Sequence, residues 1–97
     1  MFKLLSVTRA RGGKVREAVG AMKALAEFVK SKHDLRLEVH IQLFGPSGTL
    51  YMVGDVPDLA TFQTVQAKIM ADEAYWALVQ KAAEVMEPPT MVLLQRV

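Results

Sequence analysis

Residues 35–56, Leu-Arg-Leu-Glu-Val-His-Ile-Gln-Leu-Phe-Gly-Pro-Ser-Gly-Thr-Leu-Tyr-Met-Val-Gly-Asp-Val, decide the fold. Leu35, Leu37, Val39, Ile41 and Leu43 alternate with Arg36, Glu38, His40 and Gln42, the period of two that marks a half-buried strand. Gly45-Pro46-Ser47-Gly48 supplies a turn, and a second strand follows from Thr49 to Val56. Placing Phe44 opposite Thr49 puts Leu43/Leu50, Ile41/Met52, Val39/Gly54 and Leu37/Val56 on one apolar face. The other face then carries Phe44/Thr49, Gln42/Tyr51, His40/Val53 and Glu38/Asp55. A slip of one residue would mix the two sets, so polarity argues for this parity. The mixed face is where function is to be sought.

Outward from the hairpin, residues 2–8 read as a first strand with apolar groups for both faces. A basic turn, Arg9-Ala10-Arg11-Gly12-Gly13-Lys14, leads into a helix over about residues 14–32. Val15, Ala18, Val19, Met22, Leu25, Ala26 and Val29 make one apolar stripe on it, about 100° wide. Gly20 interrupts the helix, and close packing on the sheet is the expected reason. The basic turn matches no phosphate-loop spacing and reads as solvated. After the hairpin, Pro57 and Asp58 open a second helix with Leu59, Phe62, Val65, Ile69 and Met70 on its apolar face. Asp72 caps a third helix, about residues 73–86, and Glu87-Pro88-Pro89 stops it. The last segment, Thr90 onward, is a strand.

The order β-α-β-β-α-α-β is the split βαβ, ferredoxin-like α+β plan: a four-stranded antiparallel sheet with helices on one face. Residues 1–97 form a single domain without repeats or linkers. Apolar residues at 52% and charged residues at 23% describe an ordinary globular chain, not a disordered one. A net charge of +2 is too small for a nucleic-acid partner. The chain has no cysteine, so neither a disulfide framework nor a thiolate zinc site is available. Apolar runs fall short of a membrane span, and a cytoplasmic protein without a membrane partner is expected. With helices on one side only, the opposite sheet face would be bare. Phe44, Tyr51 and Val53 therefore become dimer-face candidates, with a second copy as the expected partner.

The chain resembles small NIPSNAP-like members of the dimeric α/β-barrel superfamily over essentially its whole length. The likeness is carried by the turn Phe44–Val53, the helix entry Val56–Gln63 and the tail from Ile69 to Val97. The resemblance implies two sheets facing each other to close an eight-stranded barrel, with helices outside. It also implies that some members bind or transform hydrophobic ligands in the barrel, while many have no known activity. The superfamily's quinone-forming and haem-degrading monooxygenases use asparagine and tryptophan, with histidine added as the haem ligand. This sequence has no asparagine, and no histidine follows its one tryptophan, Trp76.

His40 is the imidazole on the mixed face and its candidate acid–base group. With Gln42 and Tyr51 it could line a pocket, and Trp76 could add an aromatic wall, so these four are the ligand-pocket candidates. Tyr75 lies in its helix's apolar stripe and is expected in the core. His33 reads as a solvated helix end. No catalytic residue is assigned, and no metal site or cofactor is expected, because no spacing converges the ligands they need. The function expected is a small cytoplasmic homodimeric barrel protein of unassigned activity, its interior either mostly packed or holding a small hydrophobic ligand between sheet and helices. The alternative is a cofactor-independent monooxygenase-like or isomerase-like enzyme acting on an aromatic or polyketide-like substrate through His40 and Tyr51.

Overall fold

The computed structural model describes residues 2–97. Its elements run β1 (Phe2–Arg9), α1 (Val15–His33), β2 (Glu38–Ile41), β3 (Thr49–Val56), α2 (Leu59–Met70), α3 (Glu73–Ala82) and β4 (Thr90–Gln95). The four strands form one antiparallel sheet in the order β2-β3-β1-β4, the arrangement expected of the ferredoxin-like plan.

The apolar stripe of α1 decides which sheet face is covered. Ala18, Met22 and Leu25 pack with Leu50 of β3, and Ala82 and Met86 complete the same buried cluster. Leu4, Thr8 and Val56 share that side of the sheet and are buried too. Full burial of a leucine, valine or methionine side chain contributes about 1.5–3 kcal/mol, so this layer dominates stability. Tyr75 packs against the cluster as the helical spacing predicts, and loss of solvent pushes its phenol pKa up. Thr8 is a polar group in this layer, satisfied by donating its hydroxyl hydrogen to the Glu87 carbonyl.

The hairpin register differs from the expected one by two residues. Gln42, not Phe44, stands level with Thr49: its amide donates to the Thr49 carbonyl at 3.0 Å, and Ile41 pairs with Leu50 and His40 with Tyr51. A shift of two keeps every side chain on its expected face but changes every neighbour. It also lengthens the loop to residues 43–48, so Leu43 and Phe44 leave the sheet and stand 84% and 92% exposed. Ile41, expected in the core, is 52% exposed at the sheet edge. Glu38 faces Val53 rather than Asp55, and Asp55 instead pairs with Lys3 at 3.3 Å.

Gly54 lets the segment that enters β2 approach β3 closely. A Cβ at Gly54 would stand 2.9 Å from the Arg36 carbonyl oxygen and 2.6 Å from Leu37 Cδ2. The segment entering β2 therefore lies almost on the β3 backbone. The expected reason for Gly20 fails, because a Cβ there would meet nothing within 4 Å and the residue is exposed. α3 also ends earlier than its pattern suggests, at Ala82, and turns through residues 83–85 to the bridge between Ala10 and Met86.

The two glycines should respond in opposite directions. Gly20→Ala gains helix propensity and is expected to stabilise by roughly 1 kcal/mol, raising Tm by about 4–8 °C. Gly54→Ala should lower Tm, because backbone cannot retreat from the added methyl as a flexible side chain could. Thermal unfolding followed by circular dichroism checks both.

Candidate functional site

The uncovered face of the sheet is built from alternate residues of all four strands. Cross-strand pairing sets Glu38, Val53, Leu5 and Val92 in one row, and His40, Tyr51, Val7 and Thr90 in the next. Asp55, Lys3 and Leu94 form a third row. The centre is apolar: Leu5, Val7, Val53 and Val92 are half-buried only by their own sheet neighbours, and Leu94 is 47% exposed. Among the described residues, no helix lies on this side. Polar pairs surround it, with Lys3–Asp55 at one end and Glu38–His40 along the β2 edge.

Three of the four pocket candidates share this face. Tyr51 donates its phenolic hydrogen to Gln42 Oε1 in a short hydrogen bond, and His40 Nε2 lies 3.1 Å from Glu38 Oε1. Each polar group is thus already engaged by a neighbour, which orients it but leaves the His40 ring exposed to solvent. Trp76 does not join them. It lies on α3 in the helix layer, where its indole N–H donates to the Met70 carbonyl at 2.8 Å and its ring meets Tyr75 edge-on at 5.6 Å. There it ties the end of α2 to α3. Of the dimer-face candidates, Tyr51 and Val53 occupy the uncovered face, while Phe44 sits on the loop beyond the end of β2.

A second cluster escaped the sequence reading. His33, expected to be solvated, places Nε2 2.9 Å from Asp72 Oδ2 with both side chains under a tenth exposed. Lys32 Nζ reaches the same oxygen at 2.9 Å, and Asp72 Oδ1 accepts from the Ala74 amide at 3.0 Å. Phe28 packs its ring edge-on to His33 at 6.1 Å. The carboxylate therefore does two things: it caps α3 and fastens the end of α1 to the α2–α3 corner. Lys32 first, with His33 and the Ala74 amide, holds its carboxyl down to about 2, against a burial effect that pushes it up. The 39-residue separation of His33 and Asp72 left no spacing signal; only the cap role of Asp72 was legible.

Two shallow concavities lie on the helix layer, one between α1 and α3 beside Phe28 and Leu78, the other beside Lys32, His33 and Asp72. Neither includes His40, Gln42 or Tyr51. Among the described residues, no group of three histidine, aspartate or glutamate side chains converges as a metal site would.

Comparison with solved structures gives close matches over the whole chain. An uncharacterised NIPSNAP domain protein from Burkholderia xenovorans aligns with 100% of this chain and 95% of its own at a TM-score of 0.84 and 17% identity. The shared property is the fold. A NIPSNAP family protein from Agrobacterium tumefaciens matches at 0.81 with 15% identity, covering 99% of this chain and 92% of that one. An antibiotic biosynthesis monooxygenase matches at 0.71 with 18% identity, covering 100% and 99%. No protein-family model matches the sequence, and no curated protein matches it. The fold resemblance seen in the sequence is thus shared with NIPSNAP domain proteins and with a monooxygenase of the same architecture.

Asp72 should leave a signature in acid. A carboxyl whose folded pKa is depressed contributes stability that is present above its unfolded pKa, near 3.8, and is lost as pH falls through about 2. Asp72→Asn removes that contribution, so the variant should unfold more readily at pH 6 and lose less further stability between pH 4 and pH 2. Urea unfolding at a series of pH values tests the difference between the two curves.

Proposed function

We propose that the protein is a cytoplasmic homodimer that brings two uncovered sheet faces together as a barrel and holds a small hydrophobic ligand beside His40, Gln42 and Tyr51. The uncovered apolar face carries this reading. Leu5, Val7, Val53, Val92 and Leu94 form one continuous patch on a sheet whose other side is packed. A contiguous apolar surface rimmed by charge is the mark of an interaction site, and a two-fold copy is its simplest complement. The polar line of Tyr51, Gln42, His40 and Glu38 lies along one margin of the patch. There it can orient a ligand through a few directed hydrogen bonds while the apolar centre supplies contact area. The space between α1 and the sheet is filled by Met22, Leu50 and Val56, which favours the sheet-to-sheet side as the place for such a ligand. The cytoplasmic part of the reading fits a chain in which, among the described residues, no helix is long and apolar enough to cross a membrane.

Native mass spectrometry of the freshly purified protein tests the dimer and ligand together. The expected species has twice the 10.7 kDa chain mass, and a retained ligand adds a discrete increment. A monomer at micromolar concentration would overturn the reading. Val53→Asp should weaken the dimer more than ~100-fold, because each subunit would bury an unpaired carboxylate. Sedimentation velocity measures the change, with far-UV circular dichroism to establish that the monomer still folds.

A further inference from the structure

We infer that residues 42–48 form a preorganised arm that reaches past the sheet and lies against the edge strand β4 of the second copy, with Phe44 and Leu43 as its contacts. The inference rests on the homodimer reading above and adds what closes the seams between the two sheets.

The arm is held in shape. The Gln42 amide donates to the Thr49 carbonyl at 3.0 Å, the Thr49 hydroxyl to the Pro46 carbonyl at 3.1 Å, and the Ala10 amide to the Gly48 carbonyl at 2.9 Å. Gly45 and Gly48 adopt positive φ of 110° and 83°, a turn form that glycine reaches without strain and other residues resist. Leu43 and Phe44 are adjacent, large and apolar, and they stand 84% and 92% exposed on this fixed support. Bonds at both ends of the loop reduce the backbone entropy that docking would cost.

Area argues that the sheet faces need help. Strands of 4–8 residues, spaced ~4.8 Å apart and rising ~3.3 Å per residue, give the face a footprint of roughly 400 Å². A stable interface buries about 800 Å² of accessible surface on each partner, a measure that also counts side-chain relief, so a flat face of this size supplies only part of it. A single phenylalanine can bury about 150–250 Å². In a two-fold dimer each chain both gives an arm and receives one, so the arms supply much of the shortfall.

Topology says where the arm goes. β1 and β2 run one way, β3 and β4 the other. A two-fold axis parallel to the strands keeps each direction and exchanges the two edges of the sheet. The free edge of β2 then meets the free edge of the partner's β4 in antiparallel sense. On the helix side of these edges, Ile41 is 52%, Met91 49% and Leu93 37% exposed. Stacking of the uncovered faces would leave all three in water, whereas edge-to-edge closure with the arm laid across the seam covers them.

The chain's lack of cysteine makes the test specific. Phe44→Cys and Met91→Cys proteins are mixed, allowed to exchange subunits and treated with a short bismaleimide. A cross-linked dimer from the mixture, with little from either protein alone, is the expected result. The double variant Leu43→Ser/Phe44→Ser should also raise the dimer dissociation constant by ~100-fold while leaving the far-UV spectrum unchanged. An intact dimer without the mixed cross-link, or one cross-linked through Phe44→Cys to itself, would overturn the arm's placement while the homodimer stood. An unchanged dissociation constant for the double variant would overturn the arm's contribution in the same way. A wild-type chain that stays monomeric would remove both readings.

Discussion

The structure depends on the contact between one stripe of α1 and one face of the sheet. Ala18, Met22 and Leu25 close over Leu50, and the ends of the domain are arranged around that contact. Ala82 and Met86 reach it from the far end of α3, and the segment after α3 is bonded back to β1 through the Arg11 amide on the Val85 carbonyl and the Glu87 amide on the Arg9 carbonyl. All of this lies on one side. A sheet has two faces, and a chain of 97 residues with three helices stacked on one of them leaves the second without cover. That asymmetry makes the uncovered face the natural place to look for function.

The helix layer has its own division of labour. α1 carries most of the buried side chains, whereas α2 buries only Ile69 fully and leaves Leu59 44% exposed. α2 is therefore held less by apolar contact than by its ends. Asp58 caps it through the Thr61 amide at 2.7 Å, and Trp76 bonds its last turn. The Asp72 carboxylate then fastens the α2–α3 corner to α1. A part-buried carboxylate with three donors around it holds this corner through all three, and removing one leaves its charge less well matched. Lys32, His33 and Asp72 thus read as a structural fastening of the helix layer, separate from the uncovered sheet face.

The polar groups of the uncovered face are engaged in pairs. Tyr51 is bonded to Gln42 and His40 to Glu38, each within the same hairpin. Each pair fixes the direction of its own donor and acceptor within the hairpin. Trp76 stands in the other layer and cannot serve the same pocket within one chain. The likeness to an antibiotic biosynthesis monooxygenase is a likeness of fold at 18% identity. A shared fold is a weak warrant for shared chemistry.

The sequence by itself determined the element order, the antiparallel sheet, the caps at Asp58 and Asp72 and the sheet face of the residues that remain in the hairpin strands. Those properties follow from local chemistry: periods of two and 3.6, proline and glycine positions, and short-range capping geometry. Tertiary structure alone decided the rest. Alternation fixes parity but cannot distinguish a register from one shifted by two, and the crowding of Arg36 and Leu37 over Gly54 accompanies the register that formed. That choice moved Leu43 and Phe44 from an expected strand into a projecting loop. The same limit hid the His33–Asp72 contact and separated Trp76 from Tyr51. Contacts between distant residues depend on how the layers stack, and spacing along the chain carries no record of it.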